Sequence, residues 1–187
     1  MASRQLAGLL GVLTPVYFLA VLVAFGLMTP GYAHASKAVS ELGAFGAPLM
    51  LEWNAMGFGL TGALLAAFGA AFPGSAGARW ALFVTGAAFA ATAIPADLED
   101  YRSPATMAHM AASIVSFAAW IWALGGQAYA APRGFRALSI AFLGLAVASI
   151  VLRGSDIVWP GTGQRVSFAV FFGWYFAAGL MLSRQRG

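Results

Sequence analysis

Cysteine is missing from all 187 residues, which excludes disulfides, thiolate catalysis and cysteine metal sites. Charge is nearly missing as well: Asp, Glu, Lys and Arg make up 9% of the chain, against 61% hydrophobic residues. A soluble domain carries roughly 25% charged residues, so no water-facing surface can be built from this composition. Histidine occurs only at His34 and His109, so a metal site would have to lean on carboxylates. There is no basic stripe of the kind nucleic acid requires. The arginines stand singly at the ends of oily runs, and the formal charge of +4 answers to membrane topology. The compact signatures H-E-x-x-H, G-x-S-x-G and the P-loop do not occur, which removes the reactions they announce.

What remains is long apolar runs. The sequence predicts an all-α, polytopic membrane protein: one six-helix transmembrane domain over residues 1–187. Its spans fall near 6–28, 49–71, 79–95, 104–127, 135–152 and 165–183. Each approaches the ~20 residues that cross about 30 Å of hydrocarbon. Gly and Pro mark the breaks: Thr29-Pro30-Gly31, Pro73-Gly74-Ser75, Pro95 to Pro104, Ala131 to Gly134, and Arg153 to Gly163. Pro15 lies inside the first span, where neighbouring helices can satisfy the freed carbonyl. Ala33-His34-Ala35 resembles a signal-peptidase site. The apolar run before it exceeds the usual h-region of about 7–15 residues, so the first span is expected to be retained.

Alternating the loops with both termini inside sorts the charges. The inner side takes Arg4, Arg79, Arg133, Arg136, Arg184 and Arg186; the outer side takes Lys37, Arg102, Arg153 and Arg165. The cation count favours this orientation modestly. The outer side also takes every carboxylate (Glu41, Glu52, Asp97, Glu99, Asp100 and Asp156) and both histidines. That segregation points to an outer polar site. In the first outer loop, Ser36 to Leu42 is expected to form a short interfacial helix stopped by Gly43, with Ser36 and Ser40 on one face and Lys37 paired to Glu41. Glu52 is expected as a solvated edge charge beside Trp53 in the interface, and Asn54 as a deeper hydrogen-bonding residue. Asp97 follows an apolar stretch and is expected to turn into the bundle, whereas Glu99 and Asp100 suit a solvated turn. His109 lies inside the fourth span, where an ionisable group is a functional candidate by default. Ser113 and Ser116 suit packing or back-bonding. Arg153 and Arg165 flank the last outer loop and are expected to neutralise Asp97, Asp156 or Glu41, or to meet lipid headgroups. Trp120, Trp122, Gln127 and Tyr129 suit an inner interface belt.

The order Ser40-Glu41-Leu42-Gly43, Pro48, Asn54, Pro95-Ala96-Asp97, His109 and Gly163-Gln164-Arg165, followed by a Trp-containing final span, resembles the bacterial membrane family catalogued as domain of unknown function 998. The resemblance covers nearly the whole chain. It implies a helical bundle of about this size and no particular activity; a multi-pass place in the bacterial inner membrane is a separate expectation.

Three functions compete. The first is a periplasm-side site for an amphiphile or lipid headgroup. Its catalytic candidates are His109, His34, Asp97 and Glu41, and its ligand-binding candidates are Ser40, Asn54, Gln164 and Arg165. If hydrolytic, a histidine would be the general base, a carboxylate would orient it, and Arg165 would stabilise negative charge. A zinc version would use His34, His109 and Asp97. The second is a non-catalytic accessory or assembly subunit with a membrane-protein partner, offering small residues at Gly57, Gly59, Gly62, Ala63, Ala66 and Ala67 for close contact. The third is pigment or haem binding through His109. No nucleic-acid partner is expected, and the absence of an internal repeat argues against a transporter.

Overall fold

The fold is known from a computed structural model that describes residues 2–155 and 157–184. Among these residues the protein is all-α. Five helices are long and apolar enough to cross a membrane: α1 (Ala2–Met28), α2 (Met50–Ala71), α4 (Pro104–Ala130), α5 (Arg133–Arg153) and α6 (Pro160–Arg184). A shorter apolar helix, α3 (Ala76–Ala91), lies between α2 and α4. Each helix packs on its sequence neighbours, and α6 closes back on α1, so the six form a ring.

The six expected apolar stretches are helical with shifted ends; five are long enough to count as spans, and the third, expected at 79–95, is the shorter α3. Ser75 caps α3 by accepting from Ala78 N at 3.2 Å, and Ser103 caps α4 by accepting from Thr106 N at 3.2 Å, with Pro104 in its first turn. α3 ends early because the residue before Pro95 is pushed out of the α region. Its apolar stretch continues through 3₁₀-type bonds, Ala93 N to Ala90 O and Ile94 N to Ala91 O. α6 begins at Pro160, which supplies a preset φ, so Gln164 and Arg165 lie in its second turn rather than at its start.

Glycine sets how closely the ring closes. A Cβ on Gly179 of α6 would lie 2.8 Å from the backbone of Gly8, Gly11 and Val12 of α1. Gly62 meets Ala90, and Gly86 meets Ala66, along the α2–α3 seam. The small residues of α2 at Gly62 and Ala66 therefore serve internal packing. Gly8 of α1 lies against Ser183 of α6, which puts the N-terminal end of α1 beside the C-terminal end of α6.

The ring is filled with aromatics. Phe18 stacks on Phe172 at 4.5 Å between centroids, Phe89 lies parallel to Phe171 at 6.0 Å, and Phe68 meets Tyr175 edge-on at 5.0 Å. In lipid there is little hydrophobic drive to bring helices together, so dispersion and ring geometry hold the core, at about 0.5–1.5 kcal/mol per aromatic pair. Trp53 and Trp120 belong to this core, with 0% exposure each. Their sequence neighbourhoods suggested interface positions, but both fall on the ring-facing side of their helices. Gln127 is likewise buried, while Trp122 and Tyr129 are exposed as expected.

α2 is not uniform. Asn54–Leu60 is π-helical, a widened turn that commonly marks functional regions. The Trp53 ring lies over Gly57, where a Cβ would be 2.8 Å from it. Tyr17 Oη of α1 donates to Met56 O at 3.1 Å, satisfying a carbonyl of the widened turn.

Replacing Gly179 by Val should destabilise the protein by about 1–3 kcal/mol, because backbone rather than a flexible side chain opposes the new atoms. Gly125→Ala, with nothing within 4 Å of the new Cβ, should be neutral or stabilising by up to about 1 kcal/mol. Thermal unfolding of both variants in detergent measures the contrast.

Candidate functional site

The loops at 29–49, 92–103 and 154–159 share one end of the ring. Phe45 N donates to Ala96 O at 2.9 Å, Thr162 N to Ala35 O at 2.8 Å, and Gly163 packs on Arg153. The other end gathers the 72–75 turn against Gln127, Gly134 against Met181, and Gly8 against Ser183. The five described carboxylates, both histidines, Lys37, Arg102, Arg153 and Arg165 are therefore at the first end, and Arg4, Arg79, Arg133, Arg136 and Arg184 at the second. Asp156, also expected at the first end, lies outside the described residues, as does Arg186.

The first loop is a cap. Its regular part is a 3₁₀ helix, Val39–Gly43, starting three residues after the expected Ser36. Ser36 and Ser40 therefore do not share a helical face. Glu41 Oε1 accepts from Ala38 N at 2.7 Å, and Glu41 Oε2 lies 3.9 Å from Lys37 Nζ. That surface pair is worth only tenths of a kcal/mol. Asn54 Nδ2 donates to Gly43 O at 2.9 Å, so Asn54 holds the end of the cap from below. Gly43 is required there, because a Cβ would strike Asn54 Oδ1.

Arg165 fastens the cap to α6. Nη1 donates to Lys37 O at 2.8 Å and to Gly161 O at 2.9 Å; Nη2 donates to Tyr32 Oη at 2.5 Å and to His34 Nδ1 at 3.2 Å. Gln164 adds a bond, its Oε1 accepting from Val39 N at 2.7 Å. The expectation that Arg165 neutralises Glu41 or Asp97 is thus corrected. Among the described residues its partners are carbonyls, a phenol and an imidazole, because the planar five-donor fork matches several acceptors that one carboxylate would not. Guanidinium can only donate, so His34 Nδ1 accepts and the ring is held neutral. Burial and then the Arg165 charge hold the His34 pKa below the usual histidine value, while burial pushes Tyr32 up.

Asp97 does not enter the bundle. Its Oδ1 accepts from Glu99 N at 2.9 Å and Asp100 N at 3.1 Å, an Asx turn that rounds the acidic loop. Its backbone N donates to Thr106 Oγ1 at 2.8 Å. No three His, Asp or Glu side chains are grouped among the described residues in a way that would hold a metal ion. His34, His109 and Asp97 each face different partners, so the zinc set is not assembled.

His109 is the buried member, with 8% exposure. Its Nδ1 lies 3.0 Å from Ile94 O. A carbonyl oxygen accepts only, so Nδ1 carries the proton and Nε2 of the neutral ring is left with a lone pair. The ring also packs edge-on against Phe58 at 5.8 Å. Beside it lies a cavity of about 520 Å³, within the roughly 300–1,000 Å³ of small-molecule sites. Its walls are mainly apolar, with Phe89, Phe117, Phe168 and Phe171 among them, and Ser40 and Gln164 bring the cap to its edge. Met110, Ile114 and Ile150 line it and are 49%, 65% and 53% exposed. The cavity therefore opens sideways between α4 and α5, toward the lipid-facing exterior.

Three expected residues, Ser40, His109 and Gln164, thus meet at the cavity. His34, Glu41, Asn54 and Arg165 build the cap, and Asp97 shapes the adjacent loop. Sequence reasoning missed Thr92, Arg153 and Ser167 as cavity-lining residues. It also took Ser113 and Ser116 only as back-bonding or packing residues. The signal available was the i, i+4, i+7 spacing of His109, Ser113 and Ser116, which puts them on one face of α4.

An apolar exterior, membrane-length helices and a side-opening interior cavity define a multi-pass helical membrane protein. Residues 12–181 match the family described as protein of unknown function (DUF998), and the chain belongs to that family. No curated protein and no solved structure matches it significantly.

Because the folded protein favours neutral His34, the contact with Arg165 should hold above about pH 6.5 and weaken as pH falls below it, when imidazolium faces guanidinium. Hydrogen exchange at residues 34–39, corrected for intrinsic rates, should speed up between pH 7.5 and 5 in the wild type but not in His34→Asn. Arg165→Lys should loosen the same segment at both pH values, since one ammonium cannot reproduce four bonds in a plane.

Proposed function

We propose that the protein is a six-span membrane protein of the bacterial inner membrane that binds an amphiphile, admitted from the bilayer through the slot between α4 and α5. The observation that carries this reading is His109: a nearly buried imidazole, fixed by Ile94 O, whose free Nε2 adjoins an apolar cavity open to lipid. A polar group of this kind in the hydrocarbon layer costs free energy unless it finds a partner, and a ligand headgroup supplies one. The ligand's chain would lie among the phenylalanines.

Binding is favoured over hydrolysis. His109 Nε2 has the form of a general base, but its Nδ1 partner is a carbonyl, which orients the ring without offsetting the positive charge that proton uptake would create. Asp97 and Glu41, the carboxylates expected in that role, serve loop amides instead. Of the small residues that the accessory-subunit reading offered, Gly62 and Ala66 face α3 of the same ring, while Ala63 and Ala67 are exposed and by themselves favour no reading.

The short helix α3 also reads as a span. Its 16 residues cover about 24 Å, and the 3₁₀ turns through Ile94 bring the apolar stretch close to the ~30 Å needed. With six spans, both termini share one side, and the arginine-rich end is assigned to the cytoplasm.

The native chain has no cysteine, so single-cysteine variants report sidedness cleanly. An impermeant maleimide should label Glu99→Cys in intact spheroplast-free cells with a permeabilised outer membrane, and label Ser75→Cys only after lysis. Labelling of both from one side would overturn the six-span topology. Lipid retained through purification should fall about tenfold or more in Ala118→Trp or Ile150→Trp, which fill the slot, as read by mass spectrometry. Unchanged retention in both variants would remove the cavity as the binding site.

A further inference from the structure

Five of the eight polar side chains lining the cavity share one property. His109 Nδ1–H donates to Ile94 O at 3.0 Å, Ser113 Oγ to His109 O at 3.0 Å, and Ser116 Oγ to Thr85 O at 2.9 Å. Thr92 Oγ1 donates to Phe89 O at 2.6 Å, and Ser167 Oγ to Gly163 O at 3.2 Å. All five residues line the cavity, and all five already give their proton to a backbone carbonyl. Each has one imidazole or hydroxyl proton in its neutral form to give. What remains for an occupant is lone pairs: His109 Nε2 and four hydroxyl oxygens.

From this we propose that the ligand's head is rich in neutral hydrogen-bond donors: an amphiphile bearing several hydroxyl groups, such as a sugar or polyol lipid. The proposal rests on the amphiphile reading above and sharpens it. Three observations select the class. An acceptor-only head, such as an ester or ether, could be met only at the loop side, by Ser40, Arg153 and Gln164, and would face lone pairs along the rest of the cavity. An ammonium head would bring donors, but among the described residues no carboxylate lines the cavity and Arg153 does, so a desolvated cation there would meet like charge and no described counter-charge. Neutral hydroxyls meet neither objection. The stripe from His109 through Ser113 to Ser116 rises about 10 Å along α4, so donors spaced along a ring or polyol can be met in succession rather than at one point. The groups with donors still to offer, the Ser40 hydroxyl, Arg153 and the Gln164 amide, lie on the loop side of the stripe. There they suit a ligand oxygen or a phosphate, so an anionic polyol lipid fits the same class.

The test uses wild-type protein in phosphatidylcholine nanodiscs and three probes with matched acyl chains. The first is monoglucosyl diacylglycerol. The second is the same lipid with every sugar hydroxyl methylated, which keeps shape and acceptors but removes donors. The third carries a primary ammonium head in place of the sugar. Native mass spectrometry reads occupancy. The glucosyl lipid should bind, and the methylated and ammonium probes should bind about tenfold more weakly or worse. Equal occupancy by the methylated probe, or preference for the ammonium one, would overturn the donor-headed ligand while leaving amphiphile binding intact. Absence of binding by all three would overturn the amphiphile reading itself. Ser113→Ala, at a partly exposed position, should narrow the gap between glucosyl and methylated probes. A wild-type gap retained in full, in a variant whose thermal unfolding is unchanged, would count against the stripe as the recognising element.

Discussion

A side-chain proton within a hydrocarbon layer has no water to bond, and this constraint organises the interior of the bundle. The backbone carbonyls absorb part of the demand; the buried Thr14, Thr61 and Ser139 hydroxyls, the Trp53, Trp120 and Trp174 indoles and the Tyr175 phenol find no partner among the described residues. Hydroxyls on α3, α4 and α6 turn onto carbonyls of their own or neighbouring helices, and His109 reaches Ile94 O where α3 unwinds before Pro95. That unwinding matters: a carbonyl in mid-helix already accepts from the amide four residues on, whereas Ile94 lies where the helical ladder has ended. The early stop of α3 and the orientation of the imidazole are two results of one proline.

The same constraint explains the cap. A loop lying over a membrane bundle leaves backbone carbonyls without helix partners, and Arg165 takes one of them, Lys37 O, together with Gly161 O of its own helix, a phenol and an imidazole. Guanidinium suits this work because its donors point outward in a fixed plane. Gln164, one residue earlier, supplies the acceptor the same loop needs for Val39 N. Adjacent residues of α6 thus offer the loop complementary chemistry, and neither depends on charge pairing.

Much of the architecture was legible in the sequence, for physical reasons. Span position follows from hydropathy and from Gly and Pro, because lipid punishes an unsatisfied backbone. The gathering of carboxylates and histidines at one end followed from simple alternation of loops. Placement around the ring was not legible. Trp53 and Trp120 carry the composition of interface residues, and only their helical phase relative to unknown neighbours makes them core. Arg165 read as a partner for acids because acids were near it in the loop order; the carbonyls it binds have no signature in a sequence. The cavity was hidden for the same reason, since it is formed by residues on five helices and the cap, and its most frequent wall residue is ordinary phenylalanine. The π-helical turn at Asn54–Leu60 was also missed, although Gly57 and Gly59 lie within it.

The closure of α6 onto α1 has a consequence for biogenesis. Helices emerge from the ribosome in order, so the first to enter the bilayer must wait for the last before its glycine-lined flank is covered. Gln164, Ser167, Phe168 and Phe171 arrive with that last segment, as does the arginine that tethers the cap. Neither chamber nor cover exists, therefore, while synthesis is under way, and a nascent chain stalled before its final span would display Gly8 and Gly11 as an open flank for quality-control proteases to recognise.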